Sequence, residues 1–311
     1  MQVTVPSFAK INLDLRVLSK RPDGYHELRT IFQTVSLRDS LRIEFAPAKR
    51  TQIYLESSVQ IADNLVVRAA NLILEHLNVK AHVRFALAKQ IPMGAGMGGG
   101  SSNAAATLIA LQALSGKRLP FGQLSALAET LGSDVPFFLH GGTALGLGRG
   151  TELYPLLDLS QHHALVVSTG IHVSTAEAYK TLGRTVTNAL TSGAESPILR
   201  EFQAVAWLLD SARLEQLPLK NDFESVVFQI HPELAAVVRK LRRLGAKPAM
   251  MTGSGSAIFG VFGSGAEVQQ AALAFRALPT HPVRFVGRRQ YRTLWRRALG
   301  SASEASCFGS E

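Results

Sequence analysis

Cysteine is all but missing from this 311-residue chain. With Cys307 as the single one, no disulfide can form within the chain, and such a composition suits a reducing compartment, which we expect to be the cytoplasm. No run of eighteen apolar residues occurs, so the ordinary signature of a membrane-spanning helix is lacking. The opening Met1-Gln2-Val3-Thr4-Val5-Pro6 has no charged-then-apolar pattern, so export is not expected. A Walker A pattern, Gly-x-x-x-x-Gly-Lys-Ser/Thr, is absent too, which excludes P-loop chemistry. His162 and His163 have no partners at metal-ligand spacing, and no metal site is assigned to histidine. Charged residues are few, 18% against 46% hydrophobic, as in a folded globular chain with one large core or two of ordinary size.

The charges present are lopsided, giving a net charge of +10. Much of the excess lies between Pro282 and Ala298, which hold six arginines and no acid. A solvated basic face is the expected use of that segment, and no nucleic-acid partner is expected, although Tyr291 and Trp295 among the arginines are residues that could stack on RNA.

Glycine is abundant where it matters. Residues 94–100 contain Gly94, Gly96, Gly98, Gly99 and Gly100, followed by Ser101, Ser102 and an apolar helix that Gly116 stops. Each glycine inside regular structure costs about 1 kcal/mol relative to alanine, so such a cluster points to a backbone role. Positive φ lets successive N–H groups converge on an anion, and the helix N-terminus, capped by Ser101 or Ser102, points its dipole at the same spot. Gly94, Gly96 and Gly99 satisfy G-x-G-x-x-G after a strand over Ala81 to Ile91, but no acid precedes Glu129 to bind a ribose, which weakens a dinucleotide-fold reading.

Along the chain, Phe8 to Val17 alternates, with Ile11, Leu13, Leu15 and Val17 on one face and Lys10, Asn12, Asp14 and Arg16 on the other; for Asp14 and Arg16 a half-exposed sheet edge is expected. Arg21-Pro22-Asp23-Gly24 signals a turn, after which Tyr25 and His26 read as a surface pair. Leu41 to Phe45 is a strand, and Asp63-Asn64 caps a helix through about Leu77. A further helix covers Phe121 to Leu131. Asp134, among Val135, Pro136, Phe137 and Phe138, is either a desolvated base or the N-cap of a short helix, the commoner use of Asp before x-Pro. Gly141 to Gly150 suggests a hairpin or a bulged strand. A boundary near Asp158 to His163 separates a first domain, 1–158, from a second, 159–299, and a tail, 300–311, that is expected to be mobile. In the second half we expect helices over 175–181, 197–210, 222–230, 232–244 and 266–277 and strands over 165–168, 249–252, 257–262 and 283–286. Strands and helices without a regular βαβ repeat indicate α+β.

Three stretches, Ser7-Phe8-Ala9-Lys10-Ile11-Asn12-Leu13, Pro92 to Ala106 and Met251-Thr252-Gly253-Ser254-Gly255-Ser256, resemble in order and spacing the three motifs of the GHMP small-molecule kinases. Arg21 to Leu28, Asp63-Asn64-Leu65, Gly132-Ser133-Asp134-Val135-Pro136 and Asn221-Asp222-Phe223-Glu224 are similar to the branch of non-mevalonate isoprenoid synthesis whose acceptor alcohol carries a cytidine diphosphate group. The resemblance implies a two-domain α+β fold with the active site in the interdomain cleft, ATP with Mg2+, and a monomer or weak homodimer. It further implies Asp134 as general base and Lys10 as its partner. Asn12 would lie near the acceptor hydroxyl, Tyr25, His26, Thr175 and Tyr179 around the cytidine end, and Gly253, Ser254 and Gly255 on the substrate side. Pro92, Met93, Gly94, Ala95, Gly96, Met97, Gly98, Gly99, Gly100, Ser101 and Ser102 would hold the triphosphate, and Asp63, Asn64, Leu65 and Lys89 the adenosine. No magnesium ligand follows from the resemblance. Met97 stands where leucine is usual, and Gly146 to Glu152 departs from the pattern by inserting Arg149 and Thr151.

Overall fold

The structure, a computed structural model, describes residues 1–159, 162–186, 214 and 217–300. The helix expected over 197–210, Cys307, residues 301–311 of the tail and positions 160 and 161 of the expected boundary lie outside the described residues.

Two sheets organise the described chain. The first is made of β1 (Gln2–Lys20), β2 (His26–Pro47), β3 (Gln52–Ser57), β4 (Ala81–Ala88), β5 (Thr143–Leu147) and β6 (Glu152–Pro155). The turn at Arg21 to Gly24 forms as expected, closed by the Arg21 N–H to Tyr25 O at 2.8 Å, and joins β1 to β2 antiparallel along nearly their whole length. Far longer than the strand read at Leu41 to Phe45, β2 gives its other edge to β5 at Thr30 to Gln33 and to β4 at Ser40 to Pro47. Val83, Phe85 and Leu87 of β4 face inward onto α1 (Leu65–His76) and α2 (Gly99–Ser115), and α3 (Phe121–Leu131) and α4 (Phe137–His140) complete that layer. Asn64 caps α1, its side chain accepting the Val66 N–H at 3.0 Å. Residues 102–114 of α2 are all buried, so this helix is the centre of the core rather than an amphipathic one.

The second sheet, in the order β10, β7, β9, β8, comprises β7 (His163–Val167), β8 (Ala249–Met251), β9 (Ile258–Phe262) and β10 (Thr280–Arg284). Around it lie α5 (Thr175–Val186), α6 (Glu224–Ile230), α7 (Pro232–Arg243) and α8 (Gly265–Leu273). Ile11 and Leu13 of β1, Ala95 and Met97 of the glycine loop, and Phe259 and Val261 of β9 share one apolar cluster, which joins the two sheets.

The basic segment keeps much of the solvated face expected of it, but its apolar side is buried. It forms α9 (Arg288–Leu299), and although it follows the second sheet it packs on the first core through Tyr291, Trp295 and Leu299. Spaced four apart, these make one helical face; the Tyr291 hydroxyl donates to Phe138 O. Both aromatics are thus consumed by the core and offer no platform for RNA bases, while Arg289, Arg296 and Arg297 stay exposed.

α9 also sets a pH response. His140 sits edge-on to the Phe121 ring, and burial, reinforced by Arg288 and Arg292, lowers its pKa from 6.5 to about 4. The unfolded chain therefore takes up the proton first, so stability is full above about pH 6.5 and falls as pH drops towards 4. Between pH 7 and pH 5 we expect His140→Gln to lose about 1–2 kcal/mol less stability than the wild-type chain, read by urea unfolding. Equal losses would show that His140 is not the group responsible.

Candidate active site

β1 is a sheet edge, and outward amides at Lys10, Asn12, Leu15 and Val17 find partners. The Lys10 N–H donates to Met97 O of the glycine loop at 3.0 Å, and the Asn12 N–H to Thr252 Oγ1 at 3.0 Å. A β-bulge at Leu13, between the pairs Asn12 with Phe32 and Asp14 with Ile31, then shifts the strand by one residue. Beyond it the Leu15 N–H donates to Lys220 O, the Asp222 N–H to Leu15 O, and the Val17 N–H to Asp222 Oδ2. The bulge breaks the strict alternation read from the sequence: Leu15 now lines the cleft together with Lys10 and Asn12. Asp14 is not at a half-exposed edge as expected. It is 2% exposed, covered by residues 218–222, and bonded to Arg29 at 2.8 Å, to Arg16 at 3.0 Å and to the Lys220 N–H at 3.0 Å.

The cleft between the sheets has a volume of about 910 Å³. Its floor is β1 with Leu28, Thr30 and Phe32 of β2, and its rims are the glycine loop, the Ser133-Asp134 turn, α5 and the Gly253-Ser254-Gly255 loop. Lys10 is 3% exposed, and its Nζ lies 3.3 Å from Asp134 Oδ2 and donates to Asn12 Oδ1 at 2.6 Å. Asn12 Nδ2 in turn donates to Thr30 Oγ1 at 2.8 Å, which fixes the amide. Asp134 does not cap a helix, in contrast to the commoner use of Asp in such a sequence. α4 begins two residues after Val135, with Pro136 already in helical geometry, and the turn is closed by backbone bonds from Val135 to Gly132 and from Phe138 to Val135. Val135, Phe137 and Phe138 are buried in the core while the Asp134 side chain keeps 33% of its surface exposed toward the cleft.

The start of α2 also differs from expectation. Its N-cap is Gly98, in left-handed geometry at φ +69°, and no side chain caps the helix; Ser101 and Ser102 lie inside its first turn, with the Ser102 N–H already bonded to Gly98 O. A cap from Ser101 would need the helix to begin later, and close packing forbids a larger residue at the start: a Cβ on Gly98 would sit 2.9 Å from the Phe138 ring and 3.2 Å from Lys10 Cγ. On Gly96, at φ +74°, it would meet Thr252 O at 2.2 Å. Glycine is thus required where the loop passes Lys10 and the third glycine segment. What remains is an uncapped helix N-terminus opening beside an ammonium and a carboxylate, an arrangement suited to phosphate.

At the other end of the cleft, His26 stacks on Tyr179, centroids 4.9 Å apart at 22°, and Tyr179 meets Phe223 edge-on at 4.7 Å. Burial, with Lys20 nearby, lowers the His26 pKa, which keeps its ring neutral at pH 7; burial pushes the Tyr179 phenol up, with Asp134 adding to it. Tyr25 is half exposed, and the Arg149 guanidinium lies 3.5 Å from its ring centroid. Thr175 Oγ1 and Ser254 Oγ lie within hydrogen-bond distance, 2.7 Å, across the cleft rim.

Of the residues proposed from the sequence, Lys10, Asn12, Tyr25, His26, Gly94, Gly96, Gly98, Ser101, Asp134, Thr175, Tyr179, Gly253, Ser254 and Gly255 all line this cleft. Pro92, Met93, Ala95, Met97, Gly99, Gly100, Ser102, Asp63, Asn64, Leu65 and Lys89 do not, and Ala95, Met97 and Ser102 are buried instead. Lys89 is held by Asp39 and by Asn103 Oδ1 at 3.1 Å, and Asp63 by Arg68 at 3.3 Å; Leu65 lies against Gly100. Thr30, Arg149 and Thr252 were not singled out as site residues. Period-two alternation from His26 through Leu28, Thr30 and Phe32 is the signal for the first; Thr252 lies in the third motif and Arg149 in the departing Gly146 to Glu152 stretch, but neither position by itself indicates a contact.

Comparison with known proteins yields consistent relatives. The family described as "GHMP kinases N terminal domain" matches residues 64–142, and "GHMP kinases C terminal" matches residues 198–280. The 4-diphosphocytidyl-2-C-methyl-D-erythritol kinase of Solibacter usitatus is 50% identical over 302 residues, covering 97% of this chain and 94% of that one. Its counterpart from Moorella thermoacetica is 41% identical over 290 residues, covering 92% and 98%. Among solved structures, a 4-(cytidine 5'-diphospho)-2C-methyl-D-erythritol kinase superposes with a TM-score of 0.75 at 38% identity, over 92% of this chain and 100% of that one. A homoserine kinase from Cytophaga hutchinsonii, at 18% identity and a TM-score of 0.66 over 93% of this chain and 96% of that one, shares the fold.

Proposed function

The chain belongs to the 4-diphosphocytidyl-2-C-methyl-D-erythritol kinase family of the GHMP kinases, and from that premise we propose that its cleft moves the γ-phosphoryl group of ATP onto the tertiary 2-hydroxyl of the methylerythritol unit. The observation that carries this reading is the meeting of Lys10 and Asp134 at 3.3 Å beside the uncapped start of α2. The Asp134 carboxylate takes the hydroxyl proton as the alcohol oxygen bonds to the γ-phosphorus. The bond from that phosphorus to the bridging oxygen breaks, and ADP leaves with the electron pair. Lys10 pairs with Asp134 and offsets charge on the transferring group.

Amides at the start of α2 cradle the phosphates, and Gly253 to Gly255, which line the cleft, serve the substrate side. Magnesium fits as an ion carried in on the phosphates: among the described residues no group of three or more His, Cys, Asp or Glu could hold a metal, and Mg2+ needs only one or two protein oxygens beside phosphate and water. The Ser101 and Ser133 hydroxyls and the Asp134 carboxylate are oxygen donors among the residues lining the cleft. When bound, the ion neutralises charge on the phosphate oxygens. Lys89 and Asn64 act on the adenosine side indirectly, by fixing the loop and α1. No helix among the described residues is long and apolar enough to cross a membrane, and the substrate is read as a free small molecule.

Cytosine belongs at the Tyr25, His26 and Tyr179 end, where a neutral imidazole can read its polar edge. Arg149 steadies Tyr25 there by cation–π contact. We expect Arg149→Ala to raise the KM for the cytidyl alcohol about two- to fivefold with kcat unchanged. A changed kcat would instead tie Arg149 to the transfer step.

ADP release with ATP and magnesium, measured in parallel on the cytidyl alcohol, mevalonate and homoserine, tests the reading. Turnover confined to the first supports it. Turnover with another alcohol retains the kinase but removes the cytidine pocket.

A further inference from the structure

Thr252 is fully buried, and its hydroxyl is where the three sequence motifs touch. Oγ1 accepts the Asn12 N–H at 3.0 Å, lies 3.2 Å from Asn12 Oδ1 and lies 3.4 Å from Gly96 O. A hydroxyl carries one proton, so Thr252 donates either to the Asn12 amide or to the glycine loop. The same Asn12 oxygen receives the Lys10 ammonium at 2.6 Å. On the far side, Asn221 Nδ2 donates to both Met251 O and Gly253 O, each at 2.8 Å, which clamps the backbone on either side of Thr252. The Asn12 N–H, like that of Lys10, points away from β2 at the open edge of β1, and Thr252 is its acceptor.

We propose that Thr252 is a positioning residue that couples the glycine loop to Lys10, acting through Asn12. With its proton on Asn12 Oδ1 the amide is held by Thr252 and Thr30 together, and Lys10 is aimed at Asp134. A shift of the Gly96 carbonyl toward the hydroxyl draws the proton away and loosens that aim. Thr252 thereby links loop geometry to the catalytic pair through side chains, in addition to the direct bond from the Lys10 N–H to Met97 O. The inference rests on the kinase reading of the cleft.

Thr252→Val keeps the shape and removes the hydroxyl, and Thr252→Ser restores it. We expect the valine variant to lose about ten- to a hundredfold in kcat, with the KM values for ATP and the cytidyl alcohol within about twofold of wild type, and the serine variant to stay within about threefold of wild type in kcat. A mere packing role predicts the reverse, since serine also removes the methyl group. In the free protein, the unfolding-midpoint shifts of Thr252→Val and Asn12→Ala are expected to be less than additive in the double variant. This second readout needs no substrate. Wild-type protein inert on the cytidyl alcohol would remove the kinase reading while the midpoints still report the link. Wild-type kcat in the valine variant, a KM effect on ATP alone, or additive midpoint shifts would overturn the proposal. Should the valine variant not fold, Thr252→Ala set against Thr252→Ser gives the same comparison.

Discussion

Replacing Asp134 with asparagine is expected to lower kcat by about 10²- to 10⁴-fold, the range typical of a positioned general base, while the KM values change little. The substitution keeps size and hydrogen bonding but removes the proton acceptor. It also removes the charge that Lys10 faces at 3.3 Å. Lys10 is buried and retains Asn12 as a partner, so the variant is expected to fold. Steady-state kinetics with the cytidyl alcohol, supported by calorimetric binding of the same alcohol, separates the two effects. Full turnover in the variant would leave Asp134 with a structural role only.

The second large effect belongs to the other end of the cleft. Stacking of a base on an aromatic ring is worth about 1–3 kcal/mol, which converts to about a 5- to 150-fold change in affinity. The double variant Tyr25→Ala, His26→Ala is therefore expected to raise the KM for the cytidyl alcohol by about that factor. The KM for ATP should stay close to wild type, because both residues lie away from the glycine loop. The His26 ring also supports Tyr179 at 4.9 Å, so part of the loss comes from freeing that phenol. An unchanged KM would move the cytosine elsewhere in the cleft and return the acceptor question to simpler alcohols.

How much of this could be read beforehand follows from the range of each interaction. The glycine loop, the stop at Gly116, the cap at Asn64 and the turn at Arg21 to Gly24 are local, and the residues that dictate them are adjacent. Helices α3 and α7 were visible for the same reason. The length of β2 was not, because its first half is stabilised by β5, more than a hundred residues later. Asp14 looked like a solvated edge residue since its partner Arg29 and the covering residues 218–222 are far off in sequence. The capping expected of Ser101, Ser102 and Asp134 failed on sterics: Gly98 and Pro136 take the positions preceding the helices, leaving those side chains elsewhere. In α9, composition suggested a basic surface, while Tyr291, Trp295 and Leu299 at spacing four carried the packing signal. Lys10 and Asp134 approach each other across 123 intervening residues, and no local pattern could show it. Thr252 stood within a quoted motif, but its contacts to Asn12 and Gly96 span more than 150 residues and were equally hidden.

The most direct test of the central claim is the ³¹P NMR spectrum of the product formed from ATP, magnesium and the cytidyl alcohol. Carbon 2 of the methylerythritol unit bears no hydrogen, so transfer to its hydroxyl gives ADP and a new phosphomonoester resonance without splitting by a vicinal proton. A resonance split by vicinal protons would place the phosphate on a primary or secondary hydroxyl, and ADP formed with inorganic phosphate alone would mean hydrolysis; either would contradict the account.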